Sequence, residues 1–388
     1  MTRPLCVMLV ATEASGDDRG AGLAAALREK LGDKVRFIGA GGEKMAAEGI
    51  QSVFDISELS ILGVVDALAI YRRAMQLVNL AVDLAIREKP DAVVLIDSWA
   101  FSVRVANRIR KQAPNIPLIK YVAPQVWAWR RGRAKTLARA VDHLLSIHSF
   151  DAPYFEAEGL PTTFVGNAAL GIDFRDSDPM RIRRELGIAD QAEVLLVLPG
   201  SRPSEIRRVL PPFAEAVAKL QAARPDLQVI IPAAPTVAGA VRSAVEAWAI
   251  KPHIVEGDRA KYDAMKAATV ALACSGTVTI ELALAGCPMV VAYKIDGLTY
   301  ALVNWLVRRP ITLFNIAAKS MVAPEFIQED CTGTQLAAAI AERLDDPALR
   351  AAQAAEQLAA LDIMGRGGPD PSIAAAAAVV TIVGAQRP

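Results

Sequence analysis

Short, β-branched apolar runs alternate with helical patterns along most of the chain, and this alternation constrains the fold more than any other feature. "CVMLVAT" at 6–12 leads into "RGAGLAAALREKLG", "AVVLID" at 92–97 into "FSVRVANRIRKQ", and "IPLIKYV" at 116–122 into "GRAKTLARAV". Strands joined through helices must run parallel, and a parallel sheet needs helices on both faces. A second series starts after "GNAALGIDFRDSDP" and comprises "EVLLVLPGS", "LQVIIPAA", "HIVEG", "TVALACSGT" and "CPMVVAY". At 388 residues the chain exceeds what one core usually fills. The expectation is therefore α/β, with two doubly wound domains, 1–170 and 171–364, joined near 166–180 and facing a cleft that holds the ligand. The tail, 365–388, opens on "GRGGPDPS": glycines end one helix, Asp370 can cap the next, and Pro371 fits its first turn. Its alanine-rich stripe needs a partner, either the first domain or a second copy of the chain in a homodimer.

Composition removes several function classes. The 43 basic and 42 acidic side chains leave a net charge of +1, so the protein as a whole gives no argument for nucleic acid. Cys6, Cys274, Cys287 and Cys331 lack paired spacing, which predicts buried thiols with no disulfide and no zinc. His143, His148 and His253 are not spaced as metal ligands, and no serine nucleophile elbow is present. The N-terminal run reads as a first strand rather than a signal peptide. Asp66 and Glu281 interrupt the best candidates for a spanning helix, which needs roughly 18 apolar residues, so any meeting with a membrane is at its surface.

Chemistry concentrates at strand ends. "ATEASGDDRGAG" at 11–22 has glycines that admit close backbone approach, but the dinucleotide G-x-G-x-x-G and a Walker lysine are both missing. Taken by itself, the stretch reads first as a tight turn that needs small residues for packing. "EVLLVL" ends in Gly200, Ser201 and Arg202, and a helix begins at once with Glu205 in its first turn. Free amides, a helix N-terminus and a guanidinium at one point suit a phosphate. "VALAC" likewise ends in Ser275, Gly276 and Thr277, with Glu281 about one turn on, an arrangement suited to the hydroxyls of a ribose. Two such junctions in one domain favour a nucleotide. Asp176-Ser177-Asp178 has the form of a metal–diphosphate triplet but sits in the polar inter-domain link, where it reads as solvated turn residues.

Two further segments have double readings. "YVAPQVWAWRRGRAKTLAR" sets Trp127 and Trp129 beside Arg130, Arg131, Arg133, Lys135 and Arg139, fitting an anionic phosphate-bearing partner or acidic lipid. "LSILGVVDALAIYRRAMQLV" places Ile61, Leu62, Val64, Val65 and Leu68 ahead of Arg72 and Arg73, which suits a core helix or an interfacial helix equally. Finally, "VVLIDSWAF" ends a buried strand on Asp97 beside Trp99 and Phe101. A carboxylate at a strand's carboxyl end lies at the mouth of a cleft, and burial beside the two rings would raise its pKa.

Taken together, these segments resemble the lipid-A-disaccharide synthase family, inverting glycosyltransferases of Gram-negative bacteria. The resemblance rests on "ATEASGD" at 11–17, "LSILGVVDAL" at 59–68, "VAPQVWAWR" at 122–130, "LPGSRPSEI" at 198–206, "CSGTVTIELALAGCPMVV" at 274–291 and "VAPEFIQEDCT" at 322–332, in family order. It implies a glycosyltransferase-B fold with two Rossmann-like domains, and no cofactor or metal for the chemistry. It further implies a UDP-2,3-diacylglucosamine donor and a diacylglucosamine 1-phosphate acceptor. The family's seat is the cytoplasmic face of the inner membrane, against the lipid surface. On this resemblance Asp97 is the base and Arg202 stabilises the departing diphosphate. Glu281 would hold the ribose, Asn315 and Gln328 would stand near the donor, and Glu13, Ser15, Gly16 and Asp17 would line the acceptor side, with Trp127 and Arg130 close by. The family's I-D-x-P-D-F becomes I-D-S-W-A-F, with Ala100 in place of the second Asp; its G-H-P becomes Gly166-Asn167-Ala168, and P-F-E becomes Ser149-Phe150-Asp151. Another UDP-sugar enzyme of the same fold, or a catalytically silent nucleotide-sugar or lipid binder, are the alternative readings.

Overall fold

The computed structural model describes residues 3–58, 67–127, 132–295 and 310–386. Its chain divides into two compact units, residues 1–167 with 368–388, and residues 168–367.

The first unit holds a six-stranded parallel sheet of β1 (Leu5–Val10), β2 (Val35–Ala40), β3 (Ala92–Ile96), β4 (Leu118–Tyr121), β5 (His143–Ser146) and β6 (Thr162–Phe164). The order across it is β2-β1-β3-β4-β5-β6. All six residues of β1 and all five of β3 are buried, as expected of strands covered on both faces. Pairing sets Val7 opposite Ala92 and Ile96 opposite Tyr121. One core, including Leu77, Val78, Ala81 and Ala85 of the helix Ala67–Glu88, fills one side of the sheet. The other side holds Leu23 and Leu27 of the helix Ala14–Leu31 together with Ala375, Ala376, Val379 and Val383 of the tail helix Pro371–Gln386. Burying each such Leu contributes about 1.5–3 kcal/mol. Asp370 caps the tail helix, accepting from Ser372 N at 2.7 Å.

The second unit repeats the plan with β7 (Val194–Leu198), β8 (Gln228–Pro232), β9 (His253–Val255), β10 (Val270–Cys274), β11 (Met289–Tyr293) and β12 (Glu325–Ile327). Their order is β12-β11-β10-β7-β8-β9, again all parallel. In each sheet the winding reverses once, between β1 and β3 in the first and between β7 and β10 in the second. Helices leave opposite faces at such a point, so the loops after those strands part and open a crevice. Among the described residues, no helix is long and apolar enough to cross a membrane.

Candidate functional site

In the first unit the reversal point brings together the loops after β1 and β3. Asp97 follows β3 directly, and its Oδ2 accepts from Arg19 Nη1 at 2.5 Å and from Ser15 Oγ at 3.3 Å. Arg19 lies one turn beyond Ser15 and donates from the same nitrogen to the Ser15 carbonyl at 3.0 Å. This ion pair holds the carboxylate. The Asp97 side chain is 18% exposed, Phe101 packs edge-on to Phe54 at 5.8 Å, and the guanidinium of Arg133 lies 5.1 Å above the Trp99 ring.

The other first-unit candidates occupy varied settings. Asp17 is buried and points away from Asp97, accepting from Gly42 N at 2.7 Å and from Lys44 N and Met45 N at 3.0 Å. It satisfies the open amides of the helix Glu43–Ala47 and so acts as a structural cap. Gly16 is a packing residue, since a Cβ there would lie 3.2 Å from Ala11 Cβ. Glu13 is exposed at the N-terminal end of the helix Ala14–Leu31. Trp127 stands edge-on to Phe150 at 5.6 Å and to His148 at 6.3 Å. Arg130, Ile61, Leu62, Val64 and Val65 lie outside the described residues. Leu68 falls on the first turn of the helix Ala67–Glu88, on which Tyr71, Arg72 and Arg73 are exposed and Arg73 pairs with Glu58 at 2.5 Å.

In the second unit a cavity of about 490 Å³ opens where β7 and β10 part, lined by Gly200, Ser201, Arg202, Glu205, Ser275, Gly276, Thr277 and Glu281. Val255 at the end of β9, Gly257 in the loop after it, and Asp258 and Lys261 on the helix Asp258–Ala267 complete it. Gly200 has φ +113°, and a Cβ there would fall 2.4 Å from Glu205 Oε2. That oxygen accepts from Ser201 N at 3.0 Å and Arg202 N at 3.3 Å, while Oε1 takes Arg202 Nη1 at 3.3 Å. The amides expected to meet a phosphate are thus held by a carboxylate from one turn along the helix Pro203–Ala223, and Glu205 acts as a cap. The Arg202 side chain remains 76% exposed.

Glu281 carries the clearest sign of a prepared polar site. Its Oε2 pairs with Lys261 Nζ at 2.9 Å, and Lys261 also reaches Asp258 Oδ1 at 3.2 Å. Burial lowers the Lys261 pKa, but the Glu281 charge and the hydrogen bonds outweigh it and leave the group above its ordinary value. Asn315 is not in this cavity. It is fully buried, donating to Ala323 O and Glu325 Oε1, both at 2.8 Å, and accepting from Ala323 N at 3.0 Å. Gln328 Oε1 accepts from Ile295 N at 2.7 Å, outside the cavity lining. Asp178 caps the helix Pro179–Leu186 through Met180 N at 2.8 Å, and no group of three or more metal-ligating side chains occurs among the described residues.

Sequence reasoning passed over Arg19, Lys120 and Lys261. Lys120 carried a legible signal, a charge inside "IPLIKYV" where a buried strand has no use for one. Arg19 and Lys261 carried none, because their partners lie 78 and 20 residues away in the chain.

Two doubly wound units, each with polar groups gathered at its reversal point, are the plan of glycosyltransferase-B proteins. The chain is similar to the S. aureus MnaA–UDP structure (TM-score 0.63, 14% identity, 97% of this chain and 95% of that one). It is also similar to the glycotransferase of kitacinnamycin (TM-score 0.62, 18% identity, all of both chains). At such identities the likeness establishes the fold class. A family model for lipid-A-disaccharide synthetase matches residues 7–365. A lipid-A-disaccharide synthase of Rhodospirillum centenum is 42% identical over 382 residues, 98% of this chain and 95% of that one. The chain belongs to the lipid-A-disaccharide synthetase family, and it is an enzyme of lipid A disaccharide synthesis.

Proposed function

We propose that this chain is an inverting transferase that joins UDP-2,3-diacylglucosamine to 2,3-diacylglucosamine 1-phosphate, giving the β-1,6-linked disaccharide 1-phosphate and UDP. The observation that supports this most is the Asp97 carboxylate at the reversal point of the first sheet, oriented by Arg19 and Ser15. A single displacement needs one base, and this is a carboxylate held in one direction with part of its surface open. Asp97 takes the proton from the acceptor 6-hydroxyl as that oxygen attacks C1 from the face opposite UDP.

The donor occupies the cavity of the second unit. Glu281, oriented by Lys261, accepts hydrogen bonds from the ribose hydroxyls. Arg202 turns from Glu205 to the diphosphate and offsets the charge that grows there as the bond to C1 breaks. The helix starts after β7 and β10 add their positive ends. Both substrates carry acyl chains, so the reaction is set at a lipid surface, the cytoplasmic face of the inner membrane, with the exposed Tyr71, Arg72 and Arg73 toward the headgroups.

Asp97→Asn keeps the size of the side chain and removes its basicity. Turnover falls about 10²- to 10⁴-fold while UDP affinity, measured by calorimetry, stays within about twofold. Arg202→Ala weakens both. Near wild-type turnover in Asp97→Asn would remove Asp97 from the chemistry.

A further inference from the structure

The Asp97 carboxylate stands on backbone that few residues adopt unaided. Asp97 has φ +51° and Ser98 has φ +36°, and neither is glycine. One strand over, Val122 has φ +75°, a rare setting for a β-branched side chain. Ile96 and Tyr121, the last residues of β3 and β4, are register partners, so all three strained positions lie side by side at the carboxyl end of the sheet. Strain of this kind persists only where the surroundings hold it.

What holds it is Lys120, the third residue of β4, which is 2% exposed. Its Nζ donates to the main-chain carbonyl of Asp97, to the Leu95 carbonyl at 3.2 Å and to Ser102 Oγ at 3.3 Å. Three acceptors meet three donors, which is the condition under which an ammonium can be buried. Ser102 Oγ donates to the same Asp97 carbonyl at 2.8 Å, and Asp97 N donates to the Tyr121 carbonyl at 3.1 Å. An apolar side chain at position 120 would leave the Leu95 carbonyl without its lysine donor and the Asp97 carbonyl with one donor in place of two. Burial pulls the Lys120 pKa down to about 7, against the Asp97 and Glu13 carboxylates, which raise it; Arg19 lowers it further.

We propose that Lys120 is a positioning residue for the transfer. Its grip on the Asp97 main chain locks the strained turn in the orientation that presents the carboxylate to the acceptor hydroxyl. Arg19 and Ser15 hold the carboxylate end and Lys120 holds the backbone end. This inference rests on Asp97 being the base. A carboxylate displaced by about an ångström loses its reactive geometry at a cost on the order of 10²-fold in rate.

The test is Lys120→Met in the full chain, which keeps an unbranched side chain and removes the donors. Asp97→Asn is assayed beside it with UDP-diacylglucosamine and diacylglucosamine 1-phosphate in detergent. In folded Lys120→Met, kcat falls about 30- to 100-fold, while KM for both substrates and Kd for UDP stay within about twofold; a residue that merely stabilised the fold would not split kcat from KM. A kcat within about threefold of wild type overturns the inference. If Asp97→Asn is inactive and Lys120→Met fully active, the positioning role alone fails; if Asp97→Asn stays active, the base assignment fails and takes this inference with it. Should Lys120→Met not fold, Ser102→Ala decides, since it removes the second donor to the same carbonyl. Its kcat drops about tenfold at unchanged KM, or the proposal is wrong.

Discussion

Asp151 and His148 show how far burial alone can move a side chain. Asp151 is fully buried, and desolvation lifts its pKa to about 7 against the bond from Ser146 and the nearby Trp127 indole. Ser146 Oγ lies 2.7 Å from Asp151 Oδ2 and 2.8 Å from the His148 carbonyl. One hydroxyl hydrogen cannot serve both, so a protonated Asp151 completes the network. His148, buried beside it and stacked on Phe150 at 5.2 Å, is lowered to about 4 by desolvation, with a smaller push from Arg19. The two act oppositely on stability. Between about pH 4 and 7 native Asp151 keeps a proton that the unfolded chain releases, so its contribution falls as pH rises; between about pH 4 and 6.5 unfolded His148 holds a proton the native ring lacks, so its contribution rises. Asp151→Asn deletes the first effect and leaves the second. Its melting temperature, relative to wild type, climbs as pH is raised from about 4 to about 7; parallel curves for the two proteins would contradict the raised pKa.

At the scale of elements, the β1 junction illustrates why a motif is easier to find than to interpret. "ATEASGD" marks a strand-to-helix turn correctly, but it does not say which of its polar side chains face a ligand. Ser15 turns toward Asp97, whereas Asp17, two residues on, turns the other way and caps the helix Glu43–Ala47. Losing such a cap costs about 1–2 kcal/mol, and a unit of this size melts about 2–4 °C lower for each kcal/mol. Asp17→Ala therefore lowers the melting temperature by a few degrees and leaves kcat and KM within about twofold at a temperature where the protein stays folded. Lost turnover with unaltered melting would return Asp17 to the substrate. The same limit applied at β7, where the Gly200–Arg202 turn was legible but its amides went to Glu205, a partner only three or four residues away. The ladder of strands was legible because both faces of each are buried, which leaves continuous apolar runs. The partners of Asp97 and Glu281 were not, because side chains from separate elements meet only once both sheets have formed.

For the whole molecule, two sheets wound on one plan account for where the polar residues gather, but not for the reaction. The fold is shared with proteins of other activities, including UDP-N-acetylglucosamine 2-epimerases, so the side chains at the reversal points must carry the distinction. The measurement that tests the account most directly uses wild-type protein, UDP-diacylglucosamine and radiolabelled diacylglucosamine 1-phosphate in detergent, with products separated by thin-layer chromatography and the new linkage read by NMR. The account predicts a disaccharide 1-phosphate with a β anomeric proton and an equal amount of UDP, formed only when both substrates are present. UDP released at the same rate without the acceptor, or a protein that binds UDP and makes no disaccharide, would contradict it.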